Sequence, residues 1–352
     1  MGRLSAFVLL SVVSLVACTP GAAPSAPAAA PATSAPSPAA LDHVKFATTT
    51  GSSTSAGVYI AVARGYFSEV GIDLEMVPFN GGAEMISSIA GDQVDVANTD
   101  AGAGLLNAMA RNVPIRFAAD GARCIEGKCN SALVVRKDLI DSGRFNDLPD
   151  LRGLSINSYT PGSTLNGFTL RTLEKAGLSV SDVQEQNLNF PDVLPAFASK
   201  KLDANFLIEP FTTLGAAQGL SVKWKDTSQI LGPQQSTVMA YSPAFAAQRQ
   251  DVGKRFMVAY LRGVRDFLDA FDQNKDTDQV IGILTANTTL KDAAQWKNVP
   301  QWFDANGAIL LDSLKANQQW YVDHGFIQTP VNLDAAWDGT YTEYALGVIG
   351  KR

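Results

Sequence analysis

The stretch ISSIAGDQVDVANTD (residues 86–100) decides the fold. A short helical run stops at Gly91, a common helix terminator. Asp95 then opens a run of strand character that ends on a polar tip, Asp100. PAFASKKLDANFLIE (195–209) repeats the arrangement, with Asp203 in the place of Asp95 and Glu209 as the tip. Around the first copy the sequence alternates: strand 43–49, helix 57–71, strand 72–79, helix 82–92, strand 94–99, helix 102–112 and strand 114–120. Around the second it runs strand 151–159, helix 163–177, strand 183–190, helix 191–201 and strand 202–210. Such alternation predicts an α/β fold of mostly parallel sheets flanked by helices. Two such blocks predict two lobes with a cleft between them. The remainder is helical, over 242–274 and 306–325, and the tryptophans at 296, 302, 320 and 337 are expected in the packing.

The amino-terminal end reads differently. Arg3, the apolar run 4–16 and the small Ala17 have the order of a secretory signal, and the run is too short to span a membrane. Residues 19–40 hold ten Ala and six Pro and no charge, so they cannot bury enough surface to order themselves and serve as a spacer. From Leu41 onward the chain is long enough for one large or two ordinary domains. A net charge of −6 argues against nucleic acid as a partner. No G-x-S-x-G or H-E-x-x-H motif occurs, and His43 and His324 read as surface or capping residues. Catalysis, a metal site and a cofactor are therefore not expected, although a carboxylate pair could form from the many Asp and Glu. Cys124 and Cys129, in RCIEGKC, are read as a local disulfide, the alternative being two free thiols.

LVAC (15–18) resembles the bacterial lipobox, which implies lipidation at Cys18. The body resembles the periplasmic solute-binding proteins for nitrate, sulfonates, taurine and thiamine-precursor pyrimidines. The resemblance rests on YIAVARGYFSEVGIDLEMV, SIAGDQVDVANTDAGA, DLPDLRGLSINSYTPGSTLNGFTLRTLEKAGL and FASKKLDANFLIEPF, in that order. It implies a two-lobed type II fold with two hinge crossings, SALVVRKDLI and STVMAYSPAF. The expected division is signal 1–17, lipidated tether 18–40, first lobe 41–135 and 240–352, second lobe 136–239. It also implies a monomer that hands a small molecule to the permease and ATPase of an ABC importer. A sensor lipoprotein signalling to a membrane receptor is the alternative, and a secreted enzyme on the same fold a further one.

Ligands of open parallel sheets sit beyond the carboxyl ends of the strands. The loops there nominate Thr50, Tyr59, Asn80, Asn98, Asp100, Asp120, Tyr159, Ser163, Thr164 and Glu209. Ser163 fits two roles, an N-cap and a ligand contact. Asp100 and Glu209 are read either as acceptors for an amine or ring N–H or as solvated loop carboxylates. Replacing either by Ala is expected to weaken binding. The loops are short of Lys and Arg, with Arg123 the nearest. This favours an amine-bearing, zwitterionic or heteroaromatic ligand over a plain anion.

Overall fold

The computed structural model describes residues 11–15, 40–300 and 302–352. Cys18 and nearly all of the signal and tether segments lie outside the described residues. Ala40–Arg352 form one compact unit.

Two mixed sheets organise it. The first has the strand order β2-β1-β3-β11-β4-β5, built from β1 (Asp42–Thr49), β2 (Ile72–Phe79), β3 (Val96–Asp100), β4 (Arg116–Ile125), β5 (Lys128–Cys129) and β11 (Gln234–Tyr241). The second has the order β10-β6-β9-β7-β8, from β6 (Ser131–Arg136), β7 (Ser155–Asn157), β8 (Gln184–Gln186), β9 (Ala204–Ile208) and β10 (Ser221–Asp226). The parallel core read from the alternation is present as β2-β1-β3 and as β9-β7-β8. The rest of each sheet is antiparallel, because β6 and β11 enter from the other sheet and arrive in the reverse sense.

The repeated aspartates explain why the two blocks look alike. Asp95 accepts the backbone N–H of Lys45 at 2.8 Å and pairs with Arg249 at 3.3 Å. Asp203 accepts the N–H of Ser155 at 2.9 Å and pairs with Arg136. Each carboxylate thus pins the start of its strand to the parallel neighbour.

Both faces of each sheet are covered. Met239 and Tyr241 of β11 join one apolar cluster, with helix Gln250–Asp272, while Val238 and Ala240 join another, with Leu314 and Tyr321. In the second sheet Phe206 and Leu207 divide in the same way. This is the period of two expected of strands buried on both sides.

Several boundaries differ from the sequence reading. The helix expected over 57–71 ends at Ala63 and resumes as Tyr66–Glu69, because Gly65 between them takes a left-handed φ of 76°. The strand expected over 151–159 shortens to β7, since Leu148–Leu151 closes a 3-10 turn held by Asp147. The proposed hinge segments are strands inside the sheets. The chain changes sheet just before each, at Asn130 and over residues 227–233. Residues 131–135 therefore stand with the second sheet, and 234–239 with the first. Cys124 and Cys129 face each other across β4 and β5 and are joined by a disulfide.

Candidate functional site

A cavity of about 130 Å³ opens between the lobes, with room for several waters or a small organic solute. Its walls come from strand ends and the loops after them. The first lobe gives Thr49, Thr54, Gly81, Gly82, Asn98, Thr99, Asp100 and Thr237. The second gives Tyr159, Thr160, Pro161, Ser163, Thr164, Leu188, Asn189, Phe190 and Ile208. Asn130 and Ser236, beside the two crossings, also line it and are bonded to each other, Ser236 Oγ donating to Asn130 Oδ1 at 2.7 Å.

Five of the ten nominated residues meet here: Asn98, Asp100, Tyr159, Ser163 and Thr164. Ser163 is an N-cap, its hydroxyl accepting the N–H of Asn166 at 3.2 Å, and it lines the cavity as well. Tyr159 adopts φ 56°. Its hydroxyl donates to the Phe206 carbonyl at 2.9 Å and accepts from Asn205 Nδ2 at 2.9 Å. Those bonds fix the ring 5.5 Å from Phe190, which stacks on Phe211 at 5.6 Å. Burial raises the Tyr159 pKa well above the usual phenol range.

The other five are elsewhere. Thr50 is exposed and bonds the Phe79 carbonyl at 3.1 Å, while its neighbour Thr49 lines the cavity. Asn80 is exposed, and the glycines after it form the wall. Tyr59 is buried behind β1, its hydroxyl 3.3 Å from Thr48 Oγ1. Asp120 accepts from Gln235 Nε2 at 2.6 Å and from the Asp304 N–H at 2.9 Å, inside the first lobe. Glu209 is 2 % exposed and accepts the Thr213 N–H at 3.1 Å, at the start of helix Phe211–Ala217. Burial pushes both carboxyls up to about 7. Arg123 is held by Asp304 at 2.6 Å and does not line the cavity.

The reason Glu209 misses the cavity lies in the register. Asp100 is the fifth residue after Asp95, whereas Glu209 is the sixth after Asp203. Side chains alternate along a strand, so one residue of offset reverses the face. Ile208 stands where Asp100 does, and it lines the cavity. Counting from the shared aspartate would have found this. Asn130, Phe190 and Thr237 carry no comparable sequence signal, because a crossing, a helix start and a strand that returns from the other sheet bring them to the cavity, and their placement is tertiary.

The lining is polar but almost uncharged. Among the described residues that form it, Asp100 is the one carboxylic acid, and burial raises its pKa. Four buried side-chain atoms of lining residues lack a hydrogen-bond partner: Asn98 Oδ1, Thr99 Oγ1, Asn130 Nδ2 and Thr237 Oγ1. Buried polar atoms are nearly always paired, so unpaired ones in residues that line a cavity mark the side chains a guest's polar groups would satisfy. Gly121 makes room for two of them. A Cβ there would collide with Asn98 Oδ1 and approach Thr237 Oγ1 to 2.8 Å. Gly121→Ala is therefore expected to lower stability by about 1–3 kcal/mol through overpacking and to weaken binding, as read by melting and titration.

Helix Leu311–Asp323 starts beside the second crossing, where Ser313 Oγ accepts the Gln235 N–H at 3.0 Å, and runs on to grip the second lobe. Tyr321 donates to the Ser163 carbonyl at 3.1 Å, and Trp320 donates to Glu174 at 3.0 Å. At the cavity rim the Ala103 N–H donates to the Gly162 carbonyl at 2.7 Å. The lobes thus touch directly through this helix and at this rim.

A family model described as NMT1/THI5 like matches residues 52–273, well over half of the chain. The chain belongs to the NMT1/THI5-like family. Comparison with curated protein sequences yields no match. Among solved structures, the nitrate-binding protein NrtA from Synechocystis PCC 6803 aligns with a TM-score of 0.72 at 12% identity, over 88% of this chain and 89% of that one. The alkanesulfonate-binding protein SsuA from Xanthomonas axonopodis pv. citri, bound to MOPS, gives 0.68 at 15% identity, over 86% and 99%. The desulfurization enzyme DszB gives 0.60 at 17% identity, over 88% and 99%. The family's fold in this chain is thus that of periplasmic binding proteins, and an enzyme shares it.

Proposed function

We propose that the protein is an extracytoplasmic solute-binding protein that captures a small organic molecule between its lobes and presents it to the permease and ATPase of an ABC importer. The observation that carries this is the interlobe cavity with unpartnered polar atoms on its walls. A solute bridging both lobes stabilises the closed arrangement by its extra contacts there. The lining favours an amine-bearing, zwitterionic or heteroaromatic solute, with Tyr159 and Phe190 as an apolar wall.

Binding without turnover is favoured over catalysis. The Ser163 hydroxyl serves as a cap, the Tyr159 hydroxyl is tied to the backbone, and the described lining holds no His, Lys or Cys to activate a nucleophile. The lipobox-like LVAC and the uncharged spacer support a lipid anchor at Cys18 that tethers the body outside the cytoplasmic membrane, and we read the protein as a monomer. Among the described residues, no helix is long and apolar enough to cross a membrane.

The test is a melting screen of residues 41–352 against taurine, alkanesulfonates, nitrate, thiamine pyrimidines, riboflavin and aromatic carboxylates, joined by mass spectrometry of compounds that co-purify. A solute at a hundred times its Kd is expected to add about 2.7 kcal/mol to stability. A protein that neither shifts with any compound nor co-purifies with one contradicts the proposal.

A further inference from the structure

Asp100 ends β3 where three helices begin. Its Oδ2 accepts the N–H of Thr164 at 3.4 Å, the first residue of helix Thr164–Lys175 in the other lobe. Its Oδ1 accepts the N–H of Gly102 at 3.4 Å, the N-cap of helix Ala103–Ala110. Gly82 opens helix Gly82–Ala90, and a Cβ placed on it would lie 3.3 Å from Asp100 Oδ2. Helix N-termini present unpaired N–H groups and the positive end of the dipole, so their convergence is a place for negative charge. Here the protein's own carboxylate takes it.

A second observation concerns the remaining wall. Asn98 and Asn130 are 2 % and 0 % exposed, and both line the same cavity. Asn98 Nδ2 donates to the Thr54 and Gly121 carbonyls at 2.8 and 3.2 Å, which leaves Oδ1 as an unpaired acceptor. Asn130 Oδ1 is taken by Ser236, which leaves Nδ2 as an unpaired donor. A guest is therefore asked for a donor and an acceptor, beside a carboxylate with no lining cation to offset it.

We infer that Asp100 determines specificity, filling the anion position where the three helices converge and restricting the cavity to solutes that carry an N–H or O–H donor and no net negative charge. A sulfonate or carboxylate ligand would have to share that position with a second anion in a water-poor site, where like charges repel strongly. A neutral or cationic donor instead gains a charge-assisted hydrogen bond. The inference rests on reading the cavity as a solute site.

The experiment compares wild type, Asp100→Asn and Asp100→Ser by titration calorimetry with methanesulfonate, after melts show that the variants fold. The serine variant empties the position where asparagine only neutralises it. Wild type is expected to bind methanesulfonate at least about tenfold more weakly than one or both variants. Equal affinity across all three proteins, or no binding by either folded variant, overturns the inference. The solute panel run on wild type separates the two claims. Compounds that bind wild type while methanesulfonate binding stays unchanged leave the solute site standing and remove Asp100's role. A gain of methanesulfonate binding with no organic solute on wild type keeps that role and removes the transport reading.

Discussion

Gly102→Val is expected to leave the protein folded and to cost at least about a hundredfold in solute affinity. Gly102 has φ −75° and ψ −179°, a conformation open to any residue, so its backbone does not need glycine. What needs glycine is the other lobe. A Cβ at 102 would meet the Gly162 carbonyl oxygen at 2.5 Å, the Thr164 nitrogen at 2.9 Å and the Ser163 carbonyl carbon at 3.0 Å. All three are backbone atoms at a helix start and cannot swing away as a side-chain tip can. The clash exists only when the lobes meet, so the substitution burdens the closed arrangement and spares an open one. Gly102→Ala should show a smaller loss of the same kind. Calorimetry gives the affinity, and small-angle scattering with solute present should show a larger radius for the variant than for wild type. Wild-type affinity in Gly102→Val would mean that binding does not require the lobes to meet at this rim.

Glu209→Gln should raise the melting temperature at pH 8 by roughly 5 °C, have little effect at pH 4, and leave solute affinity unchanged. Burial pushes the folded carboxyl up from 4.5 to about 7, so the fold favours the neutral acid. The sign follows. The group imposes no penalty below its unfolded pKa, loses stability as pH rises from about 4.5 to 7, and imposes the full cost above that. The cost is on the order of 3 kcal/mol. Asp120, pushed up to about 7 by the same cause, gives wild type a second contribution of the same sign. The variant should therefore flatten the fall in stability between pH 5 and 8 without abolishing it. A drop in solute affinity would restore Glu209 to the binding site, where its place at the tip of the second repeat had put it.

Much of the architecture could be read from local pattern. The strand 72–79 has its full length, and Asp95 and Asp203 mark equivalent strand starts because each must hold a neighbouring backbone N–H. The cavity also opens at the loops beyond the strands, the ends of such sheets where ligands bind. What the pattern could not supply was the direction of single side chains. Thr50 and Asn80 are one residue from lining positions, and Glu209 is one residue out of register. Tyr59 and Asp120 satisfy their polar groups inside the first lobe, through partners distant in sequence. Asn130 and Ser236 reach the cavity because two crossings, far apart in the chain, run side by side.

The position of β11 has a consequence for biosynthesis. This strand lies between β3 and β4 and pairs with both, yet it follows the whole second sheet in the chain. While the nascent polypeptide is shorter than about residue 241, the β2-β1-β3 ribbon and the β4-β5 hairpin have nothing to join them. The amino-terminal sheet therefore cannot mature ahead of the rest, as an independent domain does during translation. Its closure waits for a contact of long sequence separation, which slows folding. A chain truncated before Gln234 should leave the strands of the first sheet protease-sensitive, and the full chain should protect them.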